Sequence, residues 1–274
     1  MSFGTIHNVF GIHPYSSKLN RDGERLNQEI RNSIRKREKK QDSELDINLL
    51  DLMIKYNRSK PENERITEEE MVKNVSLFEV AGVDTTRSST ETFFKFFSDK
   101  PEYIKEIVEK EIPNMFKTEE DWYKYESYQK SNYIDLLLEE FMRVFGPAGE
   151  TFPRVIVKDF KVGKYTLKKG DLIIIPMLGY HFNENNFNNP EKFDPSRFEE
   201  ESKKSIKRNT YMPFYLGKRG CIGKYVAELI LRMILTRFLR EFEIASDGKE
   251  FIMISRFTYV TKDSTIMIKP RIAR

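Results

Sequence analysis

One cysteine, one tryptophan and three histidines stand among 274 residues, and each shortage removes a possibility. The lone Cys221 excludes an intramolecular disulfide and suits a reducing compartment. No second histidine stands near His181 in the sequence, and a structural role is expected of it. There is no run of roughly 18 apolar residues to span a membrane. The opening residues Met1 to Ile6 also lack the charged and apolar regions of a signal peptide, so the chain as written carries no anchor. Lys and Arg exceed Asp and Glu by only 47 to 43, and a net charge of +4 is too small to announce a nucleic-acid binder. Internal repeats and low-complexity tracts are absent too. What remains is an ordinary globular composition, 39% hydrophobic, able to build the core of one large domain or two small ones.

The first 25 residues are rich in Gly, Ser, Asn and Pro without a period, which predicts a loop-like start. Helical periodicity then covers residues 26–40 and 45–56. The first of these ends in Arg35, Lys36, Arg37, Lys39 and Lys40. Glu38 interrupts the charge and no aromatic residue interleaves, so this is a solvated helix end. Thr67 followed by Glu70 forms a capping box, Ile66 and Met71 can staple it, and a long helix is expected over 67–97. Pro101 starts another helix, with Ile104, Ile107, Val108 and Ile112 on one stripe, and residues 133–144 are helical again. Strands are expected at 154–157 and 171–175, joined through a turn at Gly163 and Lys164. Prolines at 190 and 195 rule out regular structure there. An apolar helix over 222–242 precedes strands near 251–254, 258–260 and 265–268. Trp122 and the cluster Phe93, Phe94, Phe96 and Phe97 are read as packing residues. The class is mainly α with small β-sheets, an α+β fold.

The chemistry concentrates at Phe214-Tyr215-Leu216-Gly217-Lys218-Arg219-Gly220-Cys221-Ile222-Gly223. An isolated cysteine is usually just a small buried hydrophobe. Here glycines let the backbone approach a flat ligand, and the helix that follows aims N–H groups and a positive dipole at the sulfur, an environment suited to a thiolate. Elsewhere Glu140 and Arg143 lie three apart on one helical face and can pair. Ala81-Gly82-Val83-Asp84-Thr85-Thr86 puts a glycine and two threonines inside the long helix, where they are locally unfavourable. Threonine hydroxyls bonding back to carbonyls could open the helix there and form a groove.

The ten residues from Phe214 to Gly223 resemble the cysteine loop of the cytochrome P-450 family at every defined position, Phe-x-x-Gly-x-Arg-x-Cys-x-Gly. Glu140 and Arg143 resemble the family's Glu-x-x-Arg signature, and Pro195-Ser196-Arg197-Phe198 its Pro-x-Arg-Phe element. The segment from Ala81 to Thr86 resembles its oxygen-activation motif. The resemblance covers the chain from about Leu26 onward and implies a P-450 fold, eukaryotic and microsomal in type, lacking its N-terminal part, with residues 26–274 forming a partial haem domain. It implies Cys221 as the axial thiolate on the iron of haem b and Phe214 over the sulfur side. Gly217 and Gly223 would permit close approach, and Arg219 and Arg154 would pair with the haem carboxylates. Glu140, Arg143 and Arg197 would form a buried structural network, Asp84 would relay protons, and Thr85 would hydrogen-bond dioxygen.

The implied activity is monooxygenation of an apolar small molecule, with electrons from an NADPH-dependent cytochrome reductase and no nucleic-acid partner. Lys203, Lys204, Lys207, Arg208, Lys218 and Lys224 would offer that reductase a basic face. For the full-length type, membrane association would come only through an N-terminal anchor, at the endoplasmic reticulum, whereas the chain as written, without anchor or signal, would be cytoplasmic. The alternative is a truncated, non-catalytic fragment or binding module of the same fold.

Overall fold

The computed structural model of the protein describes residues 16–255, 258–262 and 265–271. Its contacts divide the chain between Val83 and Asp84, inside the long helix, into two compact units.

The first unit contains α1 (Ser16–Glu38), α2 (Leu49–Arg58) and the beginning of α3 (Glu68–Ser98). Ile30 and Ile34 from α1, Met53 from α2, and Met71 and Val72 from α3 bury one apolar cluster, against which Ile66 packs. With the partly buried Leu26, Leu50 and Val75 packed alongside, each helix contributes residues at three- or four-residue spacing, as an amphipathic stripe requires. Asn48 caps α2 by accepting from the Asp51 N–H at 3.0 Å. Buried Asp51 in turn accepts from Arg37 at 2.7 Å, from the Asn48 amide at 2.8 Å and from the Asp46 N–H at 2.9 Å. The capping box of α3 is formed: the Thr67 N–H donates to Glu70 at 2.8 Å and the Glu70 N–H to the Thr67 hydroxyl at 3.2 Å.

The loop-like start expected over 1–25 is corrected within the described residues, because α1 already begins at Ser16. Its Asn20, Asp22 and Gly23 read as loop punctuation. In a helix such residues cost only about 1 kcal/mol each or less, which the packing of Leu26, Ile30 and Ile34 overrides. Residues 1–15 lie outside the described part.

The second unit takes the rest of α3 and continues with α4 (Pro101–Glu106), a π-turn over Ile107–Glu111 and α5 (Ile112–Met115). The single helix expected after Pro101 is thus interrupted. Pro113 has no N–H to continue the ordinary ladder, and the Ile112 N–H instead reaches the Ile107 carbonyl five residues back. Then come α6 (Tyr125–Tyr128), α7 (Tyr133–Phe145), α8 (Met177–His181), α9 (Glu200–Lys203) and α10 (Lys224–Glu241). One core joins α3, α7 and α10 through Phe93 and Phe97 of α3, Ile134, Leu137 and Phe141 of α7, and Leu231, Leu235 and Leu239 of α10. Phe93 meets Phe97 with ring centroids 4.3 Å apart and Phe141 at 5.3 Å, and Trp122 stacks on Phe116 at 3.7 Å, so these aromatics are packing residues.

Four short antiparallel pairs complete the unit. β1 (Arg154–Val155) pairs with β4 (Leu172–Ile173) and encloses a separate hairpin of β2 (Phe160–Val162) and β3 (Tyr165–Leu167). The turn at Gly163, φ +56°, closes that inner hairpin, where a direct connection between two longer strands was expected. β5 (Phe242–Ser246) pairs with β8 (Ile266–Pro270), and β6 (Met253–Ser255) with β7 (Tyr259–Thr261). The sequence reading missed β5, which follows directly on the last turn of α10. No helix among the described residues is long and apolar enough to cross a membrane.

Candidate functional site

The best-connected polar cluster is built on α7. Glu140 and Arg143 are both fully buried, and they meet as a two-pronged pair: Arg143 Nε donates to one Glu140 oxygen at 2.7 Å and Nη2 to the other at 2.8 Å. Helical spacing of three puts them on one face, and the planar guanidinium matches the carboxylate. Arg197, from the short 3₁₀ turn Pro195–Phe198, reaches Glu140 at 3.3 Å and donates to the carbonyls of Asn188 at 2.6 Å and Asn189 at 2.8 Å. The Asp194 N–H donates to Glu140 at 2.8 Å. Charge is buried here only because both Glu140 oxygens and all three Arg143 guanidinium nitrogens have a partner.

His181, at the end of α8, joins this cluster to the chain leading into the cysteine loop. Arg143 Nη1 donates to the His181 carbonyl at 2.8 Å, and His181 Nδ1 lies 3.0 Å from the Arg143 carbonyl. The Met212 N–H donates to His181 Nε2 at 3.0 Å. Burial pushes the His181 pKa down to about 4. The bond to Arg143 opposes that shift, and the Arg143 charge adds to it. Tyr211 stacks against the ring at 5.8 Å and donates its own hydroxyl to the Glu139 carbonyl at 3.0 Å.

Cys221 lies just ahead of α10, in a loop shaped by two left-handed residues, Tyr215 (φ +61°) and Gly217 (φ +69°). Gly217 has open space where a Cβ would stand, so its glycine serves conformation, not clearance. At Gly223 a Cβ would meet the Cys221 sulfur at an ordinary 3.8 Å, so the loop's own packing does not demand that glycine. The Cys221 N–H donates to the Phe214 carbonyl at 2.8 Å, and the Phe214 ring packs on the main core, anchoring the loop.

Tyr215 draws the loop to the 150–154 segment: its hydroxyl donates to the Glu150 carbonyl at 3.2 Å. Burial raises its pKa, with nearby Arg154 opposing and the Cys221 sulfur and Glu150 adding. Arg154 and Cys221 thus share one neighbour. The Cys221 side is exposed, as are Leu216, Arg219, Tyr225, Val226 and Ile222, the last at 80%. Apolar residues in such a run are unusual on a free surface.

This donor set fits one kind of group. Among the described residues no cluster of three or more His, Cys, Asp or Glu could hold a bare metal ion. A metal already carried by a flat macrocycle needs only a sulfur ligand from the protein, an apolar surround and cations for its acidic edge.

Asp84 and Thr85 are half-buried in α3, which stays helical throughout Ala81 to Thr86. The expected opening is corrected: the helix is unbroken across these residues, and where the Thr90 hydroxyl bonds back to the Thr86 carbonyl at 2.8 Å it does not interrupt the ladder either. Both Asp84 oxygens are engaged, one by the Thr258 hydroxyl at 2.8 Å and one by Arg87 at 3.0 Å, and neither partner belongs to the cysteine loop. Of the basic face, Lys203, Lys204 and Lys224 pair with Glu139, Glu201 and Glu228, so half of its charge is answered within the chain. His181 as a link, Tyr215 and Thr258 escaped the sequence reading. The one signal available was a buried-type histidine among aromatic neighbours.

The Cytochrome P450 family model matches residues 6–270. Cytochrome P450 3A31 of Mesocricetus auratus is 28% identical over 229 residues, covering 81% of this chain and 44% of that protein. Cytochrome P450 9e2 of Blattella germanica is 31% identical over 190 residues, covering 68% and 35%. The solved heme domain of cytochrome P450DA superposes with a TM-score of 0.80 at 22% identity, over 90% of this chain and 54% of that one. The chain therefore spans less than half the length of these curated relatives. With a family match over nearly its whole length, a P-450 fold, and the buried Glu140, Arg143 and Arg197 network behind the loop of Cys221, the chain belongs to the cytochrome P-450 family.

Proposed function

We propose that this chain, residues 26–274 above all, is the haem-holding part of a monooxygenase. The observation that carries the reading is Cys221 itself, exposed beside Leu216, Ile222 and Val226 in a loop held rigidly from behind. Cys221 would give a sulfur ligand to haem b, Phe214 would fix the loop on its core side, and Arg154 and Arg219 would bind the acidic edge. When bound, that group supplies the dioxygen chemistry that puts one oxygen atom into an apolar small molecule, with electrons from an NADPH-dependent reductase. Asp84 holds and passes a proton at its carboxylate, and Thr85 presents its hydroxyl on the adjacent residue. Glu140, Arg143 and Arg197 keep the fold in register and take no part in the chemistry. Lys207, Arg208 and Lys218, with no ion pair among the described residues, are the part of the basic face best suited to an acidic redox partner. The family's microsomal members suggest the endoplasmic reticulum membrane for the whole protein.

A second reading is a non-catalytic binding module of the same fold. The reduced, carbon-monoxide difference spectrum of the purified protein with added haem separates the two. A red-shifted Soret band that Cys221→Ser abolishes supports the first reading. Absence of haem uptake supports the second.

A further inference from the structure

The Glu140 and Arg143 cluster and the loop of Cys221 are not separate features. Hydrogen bonds and the short stretches of chain between them join the two, and the side chain that bridges Arg143 to Met212 is an imidazole. Met212 N can only donate, so His181 Nε2 must be the bare, accepting nitrogen. The proton therefore sits on Nδ1, which donates to the Arg143 carbonyl 3.0 Å away, itself only an acceptor. Arg143 returns the bond by donating from Nη1 to the His181 carbonyl at 2.8 Å, so the two residues clamp each other.

Beyond Met212 the line runs onward. The Met212 carbonyl accepts from the Tyr215 N–H at 3.0 Å, and two residues on from Met212 the Phe214 carbonyl accepts from the Cys221 N–H at 2.8 Å. The ring cannot turn away, because Tyr211 stacks on one face and Phe187 stands edge-on with its centroid 6.3 Å away.

We propose that His181 is a positioning residue for the cysteine loop: in its Nδ1–H form it holds Met212 with Nε2 and so transmits the rigid register of the Glu140 and Arg143 pair to Cys221. The inference that this matters for a ligand rests on the haem-thiolate reading, whereas the positioning itself does not. Glutamine can place an acceptor where Nε2 stands, and asparagine a donor where Nδ1 stands, so the two bonds can be removed separately.

The test is amide hydrogen exchange on the wild-type protein and on His181→Asn and His181→Gln, without added haem, followed by the reduced carbon-monoxide spectrum with haem. In His181→Asn the Met212, Tyr215 and Cys221 amides should exchange about tenfold faster or more, as expected for loss of a holding bond. The Asp194 amide on Glu140 should keep its protection, and His181→Gln should restore the loop amides. With haem, His181→Asn should shift the spectrum from the thiolate to the thiol type, and His181→Gln should keep the wild-type band. Acceleration confined to Met212, or equal behaviour of the two variants, overturns the proposal. Should His181→Asn fail to fold, the ¹⁵N shifts of the wild-type ring decide: a protonated Nδ1 and bare Nε2 uphold the proposal, and the reverse tautomer overturns it. A wild-type chain that takes up no haem defeats the functional reading, while the exchange pattern and the tautomer still decide the positioning role.

Discussion

The cluster on α7 and the loop ahead of α10 belong to the same compact unit, yet they are built on opposite principles. Glu140 and Arg143 are buried and matched, with the partly buried Arg197 as a third member, so the cluster is complete in itself. Around Cys221 the backbone is firmly held, but the side chains Leu216, Ile222, Tyr225 and Val226 face outward. Self-sufficiency on one side and exposed apolar surface on the other are what the proposed function asks of a scaffold and of a binding surface.

The comparison breaks first at its scaffold end. Arg143→Ala strands the Glu140 carboxylate in the core and should cost about 3–5 kcal/mol, read as a large fall in the urea midpoint. Arg219→Ala in the exposed loop should move the same midpoint by no more than about 0.5 kcal/mol.

Acid sharpens it next. The native His181 pKa is about 4 against an ordinary 6.5, so between these values the unfolded chain binds the extra proton. Stability should therefore fall as pH drops from about 6.5 to 4 and level off below, by about 3 kcal/mol in all. The contribution is isolated as the part of the pH dependence that vanishes in His181→Gln. Above pH 6.5 it is fully present and flat.

Smaller effects follow. Thr258→Val removes the hydroxyl donor to Asp84 and should cost about 1 kcal/mol in thermal or urea unfolding, with the Arg87 pair left to hold the carboxylate. Ile222→Ser should leave the free protein unchanged within about 0.5 kcal/mol, because the side chain is already in water. Under the haem-holding reading, the same variant should lose haem affinity in a titration; equal affinity would remove Ile222 from the binding surface.

Much of the scaffold was legible because its signals are local. The capping box at Thr67 marked the start of α3 to within a residue, and the three-residue spacing of Glu140 and Arg143 put them on one face. The nested β2 and β3 hairpin was less visible. Its strands are three residues long and exposed, so no burial alternation distinguishes them from the loop around them. The start of α1 was misplaced for a related reason: polar residues and a glycine speak for a loop locally, and only the partners of Ile30 and Ile34 in α2 and α3 say otherwise.

By itself the sequence determined the helical class, the family pattern around Cys221, and the residues able to form the buried network, since these depend on periodicity and spacing along one chain. Only the tertiary structure decided that His181 joins Arg143 to Met212, that Tyr215 brings Arg154 beside the cysteine loop, and that Thr258 holds Asp84 from 174 residues away. Those links are hydrogen bonds and charge contacts between segments distant in sequence. No local propensity encodes them; they arise when burial of a shared core brings the segments within reach.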